Sequence, residues 1–165
     1  MRMPLARKEG RNEMSIRGMN SSGSSQQLCI LAIDDELDSL VFLKSTLERQ
    51  GYRVFTAASP QEAIRIYREK QREIAMVLLD FLVPPKLSDF VFDELQRLNP
   101  DVRVVLLTGF EEPVADKLFQ KGLWGYLQKP FRAPELARKV QDAIRTPSAS
   151  SAASPSSGST LMSVR

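Results

Sequence analysis

The sequence predicts an α/β domain: a three-layer sandwich in which helices cover both faces of a parallel, five-stranded sheet. Two patterns between residues 28 and 146 predict it. A short apolar run recurs five times, and a longer segment with helical periodicity follows each run. The runs are apolar almost without interruption, which is typical of strands that are buried on both faces.

The predicted strands are short and rich in β-branched residues, and they are expected at 28–33, 52–55, 74–79, 102–107 and 124–127. The predicted helices follow them at 37–50, 60–72, 89–98, 112–121 and 133–145. Glycine and proline mark several helix boundaries. Gly51 follows the first helix, Ser59-Pro60 opens the second, and Pro113 lies in the first turn of the fourth.

The first predicted helix has a clear apolar periodicity. Its apolar residues recur at intervals of three and four, as one face of a helix requires. They are Leu37, Leu40, Val41, Leu43 and Leu47. We expect this wide stripe to face the core.

The two ends of the chain differ in composition from the part between them. Residues 1–27 form a basic arm of net charge +3 and residues 147–165 a Ser-rich tail of charge +1, whereas residues 28–146 carry −1. Residues 20–27 and 146–160 are Ser-rich and poor in the large apolar groups that could offset the entropy lost on ordering. We therefore expect one domain at 28–146 between two disordered ends. Because the positive charge lies outside it, direct nucleic-acid binding is not expected.

The residue inventory excludes several kinds of site. The chain has no histidine, which rules out Ser-His-Asp and Cys-His nucleophiles, metal sites of Cys/His spacing and phosphohistidine in this chain. Its one cysteine, Cys29, cannot form a disulfide within the chain. No apolar run approaches the roughly 18 residues of a membrane span, and the N-terminus lacks the apolar core of a secretory signal. We expect a cytoplasmic protein without membrane insertion.

Polar side chains follow four of the five predicted strands. Asp34-Asp35-Glu36 comes after the first strand, Asp80 after the third, Thr108 after the fourth and Lys129 after the fifth. The carboxyl ends of parallel strands share one edge of an open sheet, and ligands bind in the crevice there. We therefore expect these side chains to converge on one small site.

The residue types at this edge suit phosphoryl transfer. Asp34, Asp35 and Asp80 would place three carboxylates beside the single ammonium of Lys129, and the carboxylates would raise one another's pKa values. A divalent cation relieves this repulsion, and Mg²⁺ suits an oxygen-only site with open positions. One carboxylate could then attack phosphorus, while the cation, Lys129 and Thr108 share the negative charge of the transferred group.

Each feature taken alone has an ordinary structural explanation. An aspartate pair after a strand is often a helix cap, and a Lys-Pro pair is often a solvated lysine before a turn. The combination is more specific, because an acid pair, an acid, a hydroxyl and a lysine each stand at a strand end, in that order.

In this combination residues 30–145 resemble the receiver domain of bacterial two-component response regulators, and in particular its single-domain, chemotaxis-regulator-like members. The segments that carry the resemblance are ILAIDDE, VLLDFLVP, VVLLTG and GYLQKPF. The resemblance implies a flavodoxin-like (βα)5 fold with strand order 2-1-3-4-5. It also implies a phosphorylation-dependent switch rather than an enzyme in the ordinary sense.

The resemblance assigns an acceptor and a metal site. Asp80 would accept a phosphoryl group from a histidine of a sensor kinase or phosphotransfer protein. Mg²⁺ would be held by Asp35, Asp80 and the backbone carbonyl of Leu82, with Asp34 acting through water. Self-phosphorylation would depend on Mg²⁺.

The resemblance also assigns a switch. Lys129 and Thr108 would support the transfer, and Thr108 and Tyr126 would change position together on phosphorylation. The surface around the fourth helix, the fifth strand and the fifth helix would then bind an output protein that the sequence does not identify. The Lys129–Pro130 peptide bond can be cis in such a site.

Three features depart from the family pattern or leave a choice open. Ser88 stands where the family usually has glycine, in a loop that Pro84-Pro85 should stiffen. Leu82 and Phe110 occupy positions from which polar side chains could orient an attacking water, so slow self-dephosphorylation is expected. Trp124 belongs either to the core or to an exposed partner surface.

Two other functions fit part of the pattern. A receiver-like module could bind partners without phosphorylation, but the loss of an acid or of Lys129 that would favour this is not observed. A hydrolase with an aspartyl-phosphate intermediate would place a second aspartate two residues after the nucleophile, where this chain has Leu82. A nucleotide hydrolase is disfavoured because no GxxxxGK[ST] motif occurs.

Overall fold

The computed structural model describes residues 27–81, 86–109 and 118–146. The strands are β1 (Cys29–Ile33), β2 (Arg53–Ala57), β3 (Ile74–Asp80), β4 (Val104–Thr108) and β5 (Gly125–Gln128). The helices are α1 (Leu37–Glu48), α2 (Pro60–Lys70), α3 (Lys86–Leu98) and the C-terminal helix (Ala133–Arg145). Of the fourth predicted helix, at 112–121, only residues 118–121 are described; residues 118–120 are helical and residue 121 is in a turn. All five predicted strands are present, and the predicted α/β class is confirmed.

The five strands form one parallel sheet in the order β2-β1-β3-β4-β5, which confirms the flavodoxin-like order. The chain first runs outward from β1 to β2 and then crosses back over β1 to β3. The point where the direction reverses therefore lies between β1 and β3, and ligand sites of such sheets lie at this point. Ile33 pairs with Leu79. The residues that follow them, Asp34 just after β1 and Asp80 at the end of β3, therefore lie side by side.

Alternate residues of the strands enter two separate cores. One core lies between the sheet and helices α2 and α3, and the other lies between the sheet and α1 with the C-terminal helix. In β1, Leu31 and Ile33 belong to the first core and Ile30 and Ala32 to the second. Both faces of the sheet are thus covered, which explains why the strand sequences are almost continuously apolar.

The predicted stripe of α1 is only partly correct. Leu40, Leu43 and Leu47 are buried, but Leu37 and Val41 are 68% and 67% exposed. An α-helix advances by about 100° per residue. Because Leu40, Leu43 and Leu47 centre the buried face, Leu37 and Val41 fall roughly a quarter turn or more to its side. The stripe contains two faces, of which the sheet covers one.

Helix α3 begins three residues before its predicted start, at Lys86 instead of 89. Ser88 therefore lies in the first turn of a helix and not in a loop. Its side chain is fully buried, and its hydroxyl donates to the backbone carbonyl of Asp80 at 3.3 Å. The expectation of a stiff loop at Pro84-Pro85 lies outside the described residues, as do the predicted arm up to residue 26 and the tail from 147.

No helix among the described residues has the length and apolarity needed to cross a membrane.

Candidate functional site

The ends of β1, β3 and β5 bring three carboxylates and one ammonium together. One carboxylate oxygen from each of Asp34, Asp35 and Asp80 lies within 4.8 Å of the others. The Nζ atom of Lys129 lies 2.7 Å from Oδ1 of Asp80 and 3.3 Å from Oδ2 of Asp34. The structure therefore unites four side chains that the sequence analysis placed at one edge of the sheet.

Asp34 is the most firmly held of the three acids. It is 1% exposed. The backbone N–H of Glu36 donates to its Oδ1 at 2.9 Å, and the hydroxyl of Ser39 donates to its Oδ2. Its own backbone N–H donates to the carbonyl of Ala57 on β2. With Lys129 also on Oδ2, both carboxylate oxygens of Asp34 are occupied by donors.

Asp80 is buried at the end of β3 and is held less completely. Burial raises the pKa of its carboxyl above the usual range. The hydrogen bond from Lys129 opposes this rise, and the negative charge of Asp34 adds to it. The charge of Lys129 and a hydrogen bond from the backbone of Phe81 also lower this pKa. The ionised form of Asp80 is therefore favoured mainly by the ammonium beside it.

Lys129 is the cation of the site. Burial would lower its pKa, but the hydrogen bond and the charge of Asp80, with those of Asp34, outweigh burial and raise it. The side chain is therefore firmly protonated. Its backbone N–H donates to the carbonyl of Thr108 at 2.7 Å, which ties the end of β5 to the end of β4. The peptide bond between Lys129 and Pro130 is cis, as the resemblance allows.

Thr108 and Tyr126, the expected switch pair, lie on neighbouring strands. Thr108 is buried at the end of β4. Tyr126 on β5 pairs with Leu106, two residues before Thr108 along β4. The ring of Tyr126 is half-buried and meets Phe119 edge-on, with 6.0 Å between the ring centroids.

Trp124 is only partly in the core, and its place in a partner surface stays a prediction. Its side chain is half-buried and packs against the core that faces α1 and the C-terminal helix. The Nζ atom of Lys139 also lies 5.4 Å from the centroid of its ring, so one part of the indole remains at the surface. Leu82 and Phe110 lie outside the described residues, and the expected carbonyl ligand of Leu82 is therefore not placed.

The donor set fits Mg²⁺. Three carboxylates contribute hard oxygen atoms, and Lys129, the one ammonium among the described residues that pairs with them, cannot balance their charge. Asp35 is exposed, so the cluster opens to solvent on one side. A hexacoordinate cation that retains several waters needs such an opening.

The contacts of two hydroxyl groups at the site were not predicted from the sequence. Ser39 binds the carboxylate of Asp34, and Ser88 binds the backbone carbonyl of Asp80. Both serines lie in the first turn of a helix that follows a strand, where serine is usually explained as a helix-start signal. Ser88 was noted from the sequence only because the family usually has glycine at that position, and there was no comparable reason to note Ser39.

The family model of the response regulator receiver domain matches residues 30–141 of this chain. Among curated proteins, the sensor kinase CckA of Brucella abortus is 30% identical over 142 residues, which are 86% of this chain and 14% of the kinase. This chain spans less than half the length of each of the first eight relatives that it matches.

Solved structures agree with the family match. A receiver domain protein from Clostridium thermocellum is 31% identical, with a TM-score of 0.66 over 71% of this chain and 94% of that one. The CheX–CheY–BeF₃–Mg²⁺ complex from Borrelia burgdorferi has a TM-score of 0.67 over 72% of this chain and 90% of that one. At 20% identity this similarity shows the fold alone. With the family match covering its sheet and its acidic site, this chain belongs to the receiver domains of two-component response regulators.

Proposed function

We propose that this chain is a phosphorylation-dependent signalling switch in which Asp80 accepts a phosphoryl group from a histidine of a partner protein. One observation carries the proposal: Asp80 is a buried carboxylate at the end of a central strand, 2.7 Å from the ammonium of Lys129 and beside an acid pair. Membership of the receiver family supports it, since receiver domains are signalling modules of two-component systems.

In the proposed transfer, a carboxylate oxygen of Asp80 attacks the phosphorus atom of a phosphohistidine. The phosphorus–oxygen bond forms as the phosphorus–nitrogen bond breaks, and the imidazole keeps the bonding pair and takes up a proton. Lys129 stands where its Nζ can leave Asp80 for an oxygen of the arriving group. The hydroxyl of Thr108 serves a second oxygen, so negative charge is shared among donors that are already in place.

The acid pair supplies the metal site. Asp35, Asp80 and the backbone carbonyl of Leu82 would hold Mg²⁺, with Asp34 acting through a water molecule. Bound Mg²⁺ would offset the carboxylate charge and hold phosphoryl oxygens. The support for this assignment is the excess of carboxylate over ammonium charge at the site.

The phosphohistidine partner is proposed to contact α1. Of the seven large apolar side chains that are exposed among the described residues, three lie on this helix: Leu37, Val41 and Phe42. Helix α1 begins three residues after Asp34. The ring of Phe42 also lies 6.2 Å from that of Phe131, which follows the cis peptide of the site. A partner seated here would cover apolar surface and face Asp80 at the same time.

Output is proposed to use the surface formed by the helical residues 118–120, β5 and the C-terminal helix. Movement of the Thr108 hydroxyl toward the phosphoryl group would open space that Tyr126 could fill. The ring of Tyr126 packs edge-on against Phe119, and its centroid lies 6.0 Å from Nζ of Lys139. Displacement of the ring would therefore change the contacts of residues 118–120 and of the C-terminal helix together. Phosphorylation would act by favouring one of two states that exist already.

The acceptor assignment is tested with acetyl phosphate and Mg²⁺. Intact-mass and Phos-tag analysis should show one acid-labile phosphate on the full chain and none on Asp80→Asn. Asp142→Asn, which changes an exposed aspartate of the C-terminal helix, should incorporate phosphate like the parent. Equal labelling of Asp80→Asn would overturn the assignment, and no labelling of any variant would favour a module that binds partners without phosphorylation.

The partner surface is tested by separating two phosphoryl donors. Val41→Glu places a charge on the exposed face of α1, whereas Phe90→Glu makes the same kind of change on α3, where the side chain is 48% exposed. We expect Val41→Glu to lower transfer from kinases that label the parent in a candidate panel, with acetyl phosphate labelling unchanged. Phe90→Glu should leave both reactions intact. Equal kinase rates for the two variants would contradict a contact at α1.

The switch is tested by amide chemical shifts with and without phosphorylation. We expect the shifts to change through residues 108–135 and most strongly at Tyr126 and its contacts. Unchanged shifts over this range in a fully phosphorylated sample would disprove the switch.

A further inference from the structure

Ser39 contacts the candidate magnesium site without a role in the function proposed above. It lies in the first turn of α1, is half-buried, and donates its hydroxyl hydrogen to Oδ2 of Asp34. The same oxygen lies 3.3 Å from Nζ of Lys129. Oδ2 of Asp34 is therefore shared between a neutral donor and a charged one.

The burial of Asp34 makes these donors decisive for its orientation. At 1% exposure, solvent water has little access to its carboxylate. The backbone N–H of Glu36 fixes Oδ1, and Ser39 and Lys129 fix Oδ2. In the proposed transfer Lys129 turns toward the phosphoryl group. Ser39 is then the side-chain donor that remains on Oδ2.

A role in capping α1 does not account for this contact. The residue at the helix N-cap is Glu36, whose side chain makes no capping hydrogen bond. A capping serine would accept a hydrogen bond from a backbone N–H. Ser39 instead donates to a side chain of the site, five residues earlier in the chain.

We propose that Ser39 is a positioning residue for the magnesium site, which holds the carboxylate of Asp34 in one orientation before and during phosphorylation. The inference rests on the magnesium site of the proposed function. In the proposed site Asp34 reaches the cation through a water molecule, so its orientation sets where that water lies. The loss of a hydrogen-bonding partner outside the direct ligands typically weakens metal binding by about 10- to 100-fold. Ser39 therefore acts on the affinity for Mg²⁺ and only through Asp34.

The test compares two substitutions of nearly equal shape. Ser39→Thr keeps the hydroxyl group and Ser39→Val replaces it with a methyl group, so the pair isolates the hydrogen bond from the packing. Ser45→Ala is the control on the same helix, because the Ser45 hydroxyl is exposed and binds the carbonyl of Phe42. The Mg²⁺ dissociation constant of each full-length chain is measured by calorimetry and by amide shifts of residues 34–36.

We expect Ser39→Val to bind Mg²⁺ about 10-fold more weakly than the parent, with Ser39→Thr and Ser45→Ala close to it. The Mg²⁺ concentration for half-maximal labelling by acetyl phosphate should rise in the same proportion, while the rate at saturating Mg²⁺ stays near that of the parent. Equal dissociation constants for the Thr and Val variants would overturn the role of Ser39 and leave the proposed function intact. A parent chain that binds no Mg²⁺ would instead overturn the proposed metal site itself.

Discussion

The ends of β1 and β3 each carry a buried aspartate, yet the two carboxylates are held in different ways. Asp34 at the end of β1 receives the Glu36 N–H, the Ser39 hydroxyl and the Lys129 ammonium. Asp80 at the end of β3 lies 2.7 Å from the same ammonium and has a raised pKa because it is buried. One carboxylate is held by three donors, and the other is kept ionised mainly by the ammonium of Lys129.

The difference shows how aspartates on adjacent strands can serve different roles, one as a support for a cation and the other as a nucleophile. A carboxylate whose oxygens are all occupied is a poor nucleophile but a well-oriented support for a cation. A buried carboxylate held mainly by one ammonium could present an oxygen for attack once that ammonium turned to the arriving phosphoryl group, as the proposed transfer requires. Lys129 links the two, because it contacts both acids.

The largest effect is expected from removing that link. Lys129→Met retains much of the side-chain length but leaves Asp80 without its ammonium, and we expect the labelling rate with acetyl phosphate to fall by about 100-fold. Lys44→Met is the control, since Lys44 forms an exposed pair with Glu48 on α1. The rates are read from time courses on Phos-tag gels. A fall of less than threefold would mean that Asp80 does not depend on Lys129 as the comparison requires.

Asp34→Asn tests the role of Asp34 as a support for Mg²⁺. The amide keeps the shape of the carboxylate and removes its charge, so we expect the Mg²⁺ dissociation constant to rise by about 10-fold or more. At saturating Mg²⁺ the chain should still incorporate phosphate, unlike Asp80→Asn. Calorimetry and intact mass on the same samples check both statements. Complete loss of labelling at saturating Mg²⁺ would show that Asp34 belongs to the chemistry and not to the support.

The family pattern gives a prediction about the lifetime of a phosphate on Asp80. By the family pattern, Leu82 and Phe110 occupy the positions best placed to orient a hydrolytic water, and neither side chain can hydrogen-bond one. We expect the phosphorylated state to last nearer hours than seconds. Leu82→Asn with Phe110→Glu should shorten it by about 10-fold or more, since positioning of a reactant commonly changes rates by orders of magnitude. Phosphate loss from the purified chain in Mg²⁺ measures both, and a parent half-life of seconds would contradict the prediction.

The smallest effect is expected at Ser88, which acts on the backbone of β3. Ser88→Ala leaves the carbonyl of Asp80 without the hydroxyl donor, and an unmade hydrogen bond of a buried group costs about 1–2 kcal/mol. Urea unfolding should show this loss, whereas Ser45→Ala, at an exposed hydroxyl, should change the free energy of unfolding little. Equal stability of the Ser88 variant and the parent would remove Ser88 from the support of the site.

The sequence predicted the strands well because β-branched, almost uninterrupted apolar runs have one common explanation in a parallel sheet. The cluster of Asp34, Asp35, Asp80 and Lys129 followed from a topological rule, since these side chains stood at the carboxyl ends of predicted strands. The stripe of α1 was predicted too wide, because spacing alone does not reveal which of two overlapping faces the sheet covers. Ser39 could not be predicted, because a serine in a first helical turn is common and its partner lies outside the helix.

Trp124 gives the molecule an optical property. It is the one tryptophan of the chain, so all indole emission arises from this residue. Its ring lies between the core and the ammonium of Lys139, and the same ammonium lies 6.0 Å from the ring of Tyr126. Emission intensity and wavelength therefore report the polarity around Trp124, Lys139 and Tyr126 in the unlabelled chain. A change of this emission on phosphorylation would reveal movement of the proposed output surface without a dye.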